Sequence, residues 1–117
     1  MPTLRIEFIR AAEAKEGITA SAAPARCLGS AELPISSTPT ATLSRPEAPE
    51  GATHAVVISV GGASYVDWDG QKGMSGGSLI NADPANGERF YVPSGGTRVF
   101  TGFKTGARFA CVQATLA

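Results

Sequence analysis

Apolar and polar residues alternate one by one in the stretches that carry most of the hydrophobic weight. Thr3 to Ile9 places Leu4, Ile6 and Phe8 on one face and Thr3, Arg5 and Glu7 on the other, the period of two that marks a half-buried strand. His54 to Val60, HAVVISV, is the strongest strand signal. His54, Val56, Ile58 and Val60 share one face and Ala55, Val57 and Ser59 the other, and both are apolar enough for a central sandwich strand. Gly61-Gly62 then predicts a hairpin that returns as Ser64 to Trp68. Shorter strands are expected at Ala25 to Leu28, Glu32 to Ser36, Thr40 to Leu43, Ser78 to Ile80 and Arg89 to Val92. A last hairpin pairs Arg98 to Phe103 with Arg108 to Thr115 across Lys104 to Gly106. Ala11 to Glu16 has helix-forming composition but no apolar stripe, and reads as a loop ended by Gly17.

Short strands at this spacing, with 14 Gly and 8 Pro between them, predict an all-β fold, a compact antiparallel β-sandwich or jelly roll. Pro24, Pro34, Pro39, Pro46 and Pro49 exclude a long helix or central strand over residues 18–49. That stretch is expected to be a Pro-rich extended segment. The 117 residues allow one domain: residues 1–50 supply a strand and the extended segment, a candidate inter-subunit arm, and residues 51–117 supply the core strands. Large apolar side chains are few for the length, so the core is expected to be thin.

Charge narrows the partners. Ten basic and ten acidic residues cancel to a formal net charge of zero, without the basic surplus that phosphate binding requires. No nucleic acid is expected as a partner. No window approaches the ~18–20 consecutive apolar residues of a membrane span, and the N-terminal stretch lacks the basic-then-apolar order of a signal peptide. No membrane partner is expected, and synthesis and folding are placed in a cytoplasm. Cys27 and Cys111, the two cysteines, are expected to remain thiols there.

Candidate chemistry is sparse. His54 is the single histidine, and neither Ser59 nor Ser64 lies in the G-x-S-x-G setting of an activated nucleophile. Asp67, Asp69 and Asp83 offer oxygens to a cation, but D-W-D-G is followed by Gln71, Lys72, Gly73 and Met74 rather than further spaced ligands and a closing Glu. The Gly70 to Gly77 run does not match a phosphate-binding loop and precedes no predicted helix. Two distant cysteines and one histidine make no zinc motif. No catalytic residue, metal ligand or cofactor site is therefore expected. Tyr65 and Trp68 fall on opposite faces of one strand, so one is a core candidate and the other a contact candidate.

From Pro49 onward, P-E-G-A-T-H-A-V-V-I-S-V-G-G-A-S-Y-V-D-W-D-G, then E-R-F-Y-V-P-S-G-G-T-R-V-F-T-G and A-R-F-A-C-V-Q-A, the chain resembles a group of small tailed-phage virion proteins. In that group a strand, a Gly turn, an aromatic-rich strand and a D-G turn follow one another. The resemblance implies a virion location and a non-enzymatic structural role: a capsid decoration or cement protein, or a head-spike base. Such a protein would form a homo-oligomer, a trimer or similar, and bind the major capsid protein or other virion proteins. A tail or fibre adaptor is an alternative, as is a carbohydrate-binding jelly roll that uses Trp68 and Tyr65 as stacking platforms. Candidate interface residues are Leu4, Ile6 and Phe8, on a strand that could add to a neighbour's sheet edge, with Tyr65, Trp68 and Met74.

Overall fold

In the computed structural model, which describes residues 2–11, 25–69, 84–85 and 89–114, the alternating segments become antiparallel strands in two layers. The strands are β1 (Thr3–Ala11), β2 (Ala25–Pro34), β3 (His54–Val60), β4 (Ser64–Trp68), β5 (Phe90–Val92), β6 (Thr97–Thr101) and β7 (Phe109–Gln113). One sheet has the order β2-β1-β3-β6 and the other β5-β4-β7. The all-β sandwich class read from the sequence is the one observed.

The strand limits of β3 and β4 agree with the alternation, but their partnership does not. They lie in different sheets, so Gly61-Gly62 is a corner between layers and not a hairpin. Gly61 adopts φ +81° there, a conformation costly for a residue with a Cβ. The same correction applies to the C-terminal pair: β6 joins β3 in one sheet and β7 joins β4 in the other. A two-residue glycine turn closes a hairpin only when the flanking strands can pair. Here each flanking strand already has two neighbours or a better one in its own layer. The third corner, Pro93 to Gly96, is a hydrogen-bonded turn, Gly96 N–H to Pro93 O at 2.8 Å. A Cβ at Gly96 would lie 2.5 Å from the Pro93 ring.

The N-terminal half also differs from expectation. Ala25 to Leu28 and Glu32 to Ser36 are parts of one strand, β2, carried through a bulge: Phe8 pairs with Gly29 and Ile9 with Cys27, which leaves Leu28 as the extra residue. Thr40 to Leu43 is not a strand. A 3-10 turn occupies Thr42–Ser44, as Pro39 and Pro46 on either side would favour.

Residues 36–46 of the Pro-rich segment pack on their own subunit. They run along the free side of β7, with backbone bonds from Thr40 N–H to Cys111 O (3.0 Å), Phe109 N–H to Pro46 O (3.0 Å) and Gln113 N–H to Ser36 O (2.8 Å). Prolines accept in this ladder without having to donate. The Thr40 hydroxyl adds bonds to the Cys111 carbonyl and amide.

The core lies between the sheets and divides into two ends. At one end, inward rows place Ala55 between Phe8 and Phe100. Opposite them, Trp68 and Phe109 pair across β4 and β7. All five phenylalanines and the single tryptophan join one cluster, with Phe109 5.3 Å from both Phe8 and Trp68 and Trp68 stacked 5.0 Å from Phe90. At the other end the residues are smaller: Leu4, Leu33, Val66 and Val92 surround Ser59 and Ser64. Both serines are fully buried, and their hydroxyls meet at 2.6 Å. Among the described residues no buried side-chain oxygen or nitrogen lacks a partner, as a stable interior requires.

Candidate functional site

The two sheets treat their outer faces differently. On the three-stranded sheet the outward positions at Asp67, Ala110 and Val112 are closed, at 3%, 0% and 6% exposure, while Tyr65 is half-buried and Tyr91, on β5, is 37% exposed. Among the described residues, Arg89 adds to this cover. Pro84 is buried, and Arg89 donates to the Pro84 and Ala85 carbonyls. The Arg89 guanidinium then lies 3.8 Å over the Tyr65 ring, a cation–π contact.

On the four-stranded sheet the outward positions are open. Register sets them in three rows across the strands: Glu32, Arg5, Ile58 and Thr97; Ser30, Glu7, Val56 and Val99; Cys27, Ile9, His54 and Thr101. Val60 is 44% and Val99 56% exposed, while Val56, Ile58 and Ile9 are half-buried. The charged side of this face carries the Arg5–Glu32 ion pair at 2.8 Å, which is solvent-exposed and therefore worth only ~0–1 kcal/mol. A shallow open depression runs between Arg5, Glu7, Ser30 and Glu32 and the aliphatic side chains of Val56 and Ile58. The face thus grades from a polar flank on β2 and β1 to β-branched residues on β3 and β6.

The sequence-derived candidates separate on this geometry. Leu4, Ile6 and Phe8 are 0–2% exposed, because they point into the core, and β1 is flanked by β2 and β3. With both edges paired, β1 has no backbone groups to offer a neighbouring sheet, so the strand-addition role assigned to it does not hold. Trp68, 5% exposed and stacked between Phe90 and Phe109, cannot present a face to a sugar. Tyr65 is half-buried, with Arg89 over its ring and Tyr91 5.9 Å away. The stacking platforms of the carbohydrate reading are therefore occupied by the protein itself. Met74, Asp83, the Gly70 to Gly77 run and the expected strand at Ser78 to Ile80 lie outside the described residues.

The polar candidates are placed in ordinary surroundings. His54 Nδ1 meets the Thr53 hydroxyl at 2.7 Å, and its neighbours in register are Ile9 and Thr101. Ser59 and Ser64, buried and bonded to one another, are remote from it along the strand. Asp69 accepts from Arg108 Nε at 2.5 Å, with both side chains partly buried. Among the described residues no group of three or more His, Cys, Asp or Glu is positioned for a metal ion, and no helix is long and apolar enough to cross a membrane. Cys27 is exposed and Cys111 buried, both as free thiols. Burial pushes the Cys111 thiol upward in pKa, partly offset by its hydrogen bond with Thr40.

Sequence reasoning missed the residues that form the open face, Val56, Ile58 and Val99. The two-sided apolarity of β3 is the available signal, and it fits a central sandwich strand without saying which face is open. The buried set is Ala55, Val57 and Ser59, with smaller side chains than the outward His54, Val56, Ile58 and Val60. Comparison with protein-family models, curated proteins and solved structures finds no match to the chain.

Proposed function

We propose that the chain is a non-enzymatic virion structural protein of a tailed bacteriophage, a capsid decoration or cement protein or a head-spike base. In this reading it self-associates and binds the major capsid shell. The observation that carries it is the aliphatic outer face of the four-stranded sheet, on a sandwich whose opposite outer face is closed at Asp67, Ala110 and Val112. Exposed Val60 and Val99 with half-buried Val56, Ile58 and Ile9, beside a polar flank, give this face the mixed composition of a protein contact surface. A zero net charge favours protein over nucleic acid as the partner. Weak contacts of this kind become strong when many copies sit on one symmetric shell. The resemblance of segments within residues 49–114 to small virion domains points the same way.

The test is composition of particles. Virions are purified on a density gradient from the host that carries the gene, and the chain is quantified against the major capsid protein by mass spectrometry. A fixed copy ratio that survives repeated banding is expected. Recovery of the chain only in the particle-free fractions overturns the proposal.

A further inference from the structure

The four lateral edges of the sandwich are not equally protected. β7 is covered by the Pro-rich segment through the backbone bonds described above. β5 has only three residues. β2 carries a bulge, ends in Pro34, and exposes Arg26 and Glu32, the usual devices against unwanted pairing. β6 pairs with β3 on one side, and among the described residues nothing pairs with the other. Thr97, Arg98, Val99 and Thr101 are all exposed, so that edge is open to solvent. It contains no proline, lysine or bulge, and its one guard is the Arg98 guanidinium, which donates to the Thr97 carbonyl at 3.2 Å.

The sequence of this edge is self-complementary. Read T-R-V-F-T, its outward residues are Thr97, Val99 and Thr101, symmetric about Val99. Two copies placed antiparallel on a two-fold axis through Val99 bring Val99 opposite Val99 and Thr97 opposite Thr101. Threonine pairs and β-branched pairs are favourable cross-strand neighbours. A slip of one residue would set outward side chains against inward ones, and a slip of two would put Arg98 or Phe100 against its own copy on the axis in place of Val99. On the inner side Arg98 meets Phe100, placing a guanidinium beside an aromatic ring. The outward row Glu7, Val56, Val99 then continues into its symmetric copy, and the aliphatic residues of both subunits merge across the joint.

We infer that β6 is a homodimerisation edge, through which a second copy of this chain extends the four-stranded sheet to eight strands. The contact is isologous, so it closes on itself and does not propagate into fibres. A joint of five residues covers less than the ~1,200 Å² of tight complexes, and the association is accordingly weak. The inference goes beyond the virion reading and does not depend on it.

Sedimentation equilibrium of the full chain, in a concentration series up to ~1 mM, is expected to show a reversible monomer–dimer equilibrium. Val99→Lys sets two like charges against one another on the axis and is expected to raise the dissociation constant at least ~tenfold. Thiol pairing tests the register, in a Cys27→Ser background with diamide as oxidant. Val99→Cys is expected to cross-link to itself, and Thr97→Cys to cross-link to Thr101→Cys but not to itself. A chain that stays monomeric throughout, or Thr97→Cys self-linking as fast as Val99→Cys, overturns the inference. A chain that fails to dimerise yet saturates particles overturns only the pairing. One that dimerises yet never enters particles overturns only the virion reading.

Discussion

The two ends of the core reach the same closed packing by different means. At the aromatic end, six rings fill the space between the sheets, and Ala55 leaves room between Phe8 and Phe100. At the other end, aliphatic residues enclose a single pair of hydroxyls. Burial of ring surface stabilises the first through area, at ~25 cal/mol per Å². The serine pair of the second contributes little net energy but would be costly to break, since a buried hydroxyl without a partner loses its hydration for nothing. One end is held by what it contains, and the other tolerates its polar groups only because they are matched. With few large apolar residues in the chain, concentrating the rings in one place gives that place a dense core while the rest stays thin.

This contrast is open to direct attack. Phe109→Ala removes the ring that touches Phe8, Trp68 and Phe103, and a loss of ~3–5 kcal/mol in urea unfolding is expected. Filling the gap instead, Ala55→Leu forces Phe8 and Phe100 apart and is expected to cost ~1–3 kcal/mol. At the opposite end, Ser59→Ala alone should destabilise by ~1–2 kcal/mol because Ser64 loses its partner. The double variant Ser59→Ala with Ser64→Ala is expected to recover most of that loss. If the double variant were as unstable as two independent losses, the description of this end as a matched pair would fail.

The smallest expected effect concerns Cys111. Burial raises its pKa in the folded state, so the folded chain holds its proton longer than the unfolded chain. The stability this contributes is fully present below the ordinary thiol range and is lost as pH rises through the raised value. Urea midpoints measured from neutral to ~pH 10 should fall with pH more steeply in the parent than in Cys111→Ala. Cys27, exposed on β2, should react with a thiol reagent in the native protein, and Cys111 only on unfolding.

Much of the architecture was legible from the chain. Alternation located β1, β3 and β4 and fixed the all-β class, because a period of two reports strand geometry directly. It placed Leu4, Ile6 and Phe8 together on one face but did not reveal that this face is the core or that β1 is internal, since an interior and an edge strand can share one pattern. Glycine pairs showed where the chain turns and not whether it turns within a sheet or between sheets. That distinction depends on which strand wins each edge, a competition among residues more than forty positions apart, such as Glu7 and Val56. The open face escaped notice for a related reason. Ala55, Val57 and Ser59 face inward because Phe8, Phe100 and Ser64 need small neighbours, and only the assembled rows show it.

The corners at Gly61 and Pro93 to Gly96, with the passage from β6 to β7, carry a consequence for the kinetics of folding. Each moves the chain from one layer to the other, so the local contacts that would let a hairpin form early are missing at all three. β1 must find β3 across some fifty intervening positions, and β7 needs both β4 and the Pro-rich segment as neighbours. A topology dominated by distant pairings folds slowly, in about milliseconds to seconds, and with a transition state in which both layers are already partly assembled. Neither sheet can be a stable intermediate by itself, because the four-stranded sheet joins β1 to β6 from opposite ends of the chain and the three-stranded sheet needs the Pro-rich segment beside β7. The molecule should therefore gain and lose its structure as one unit.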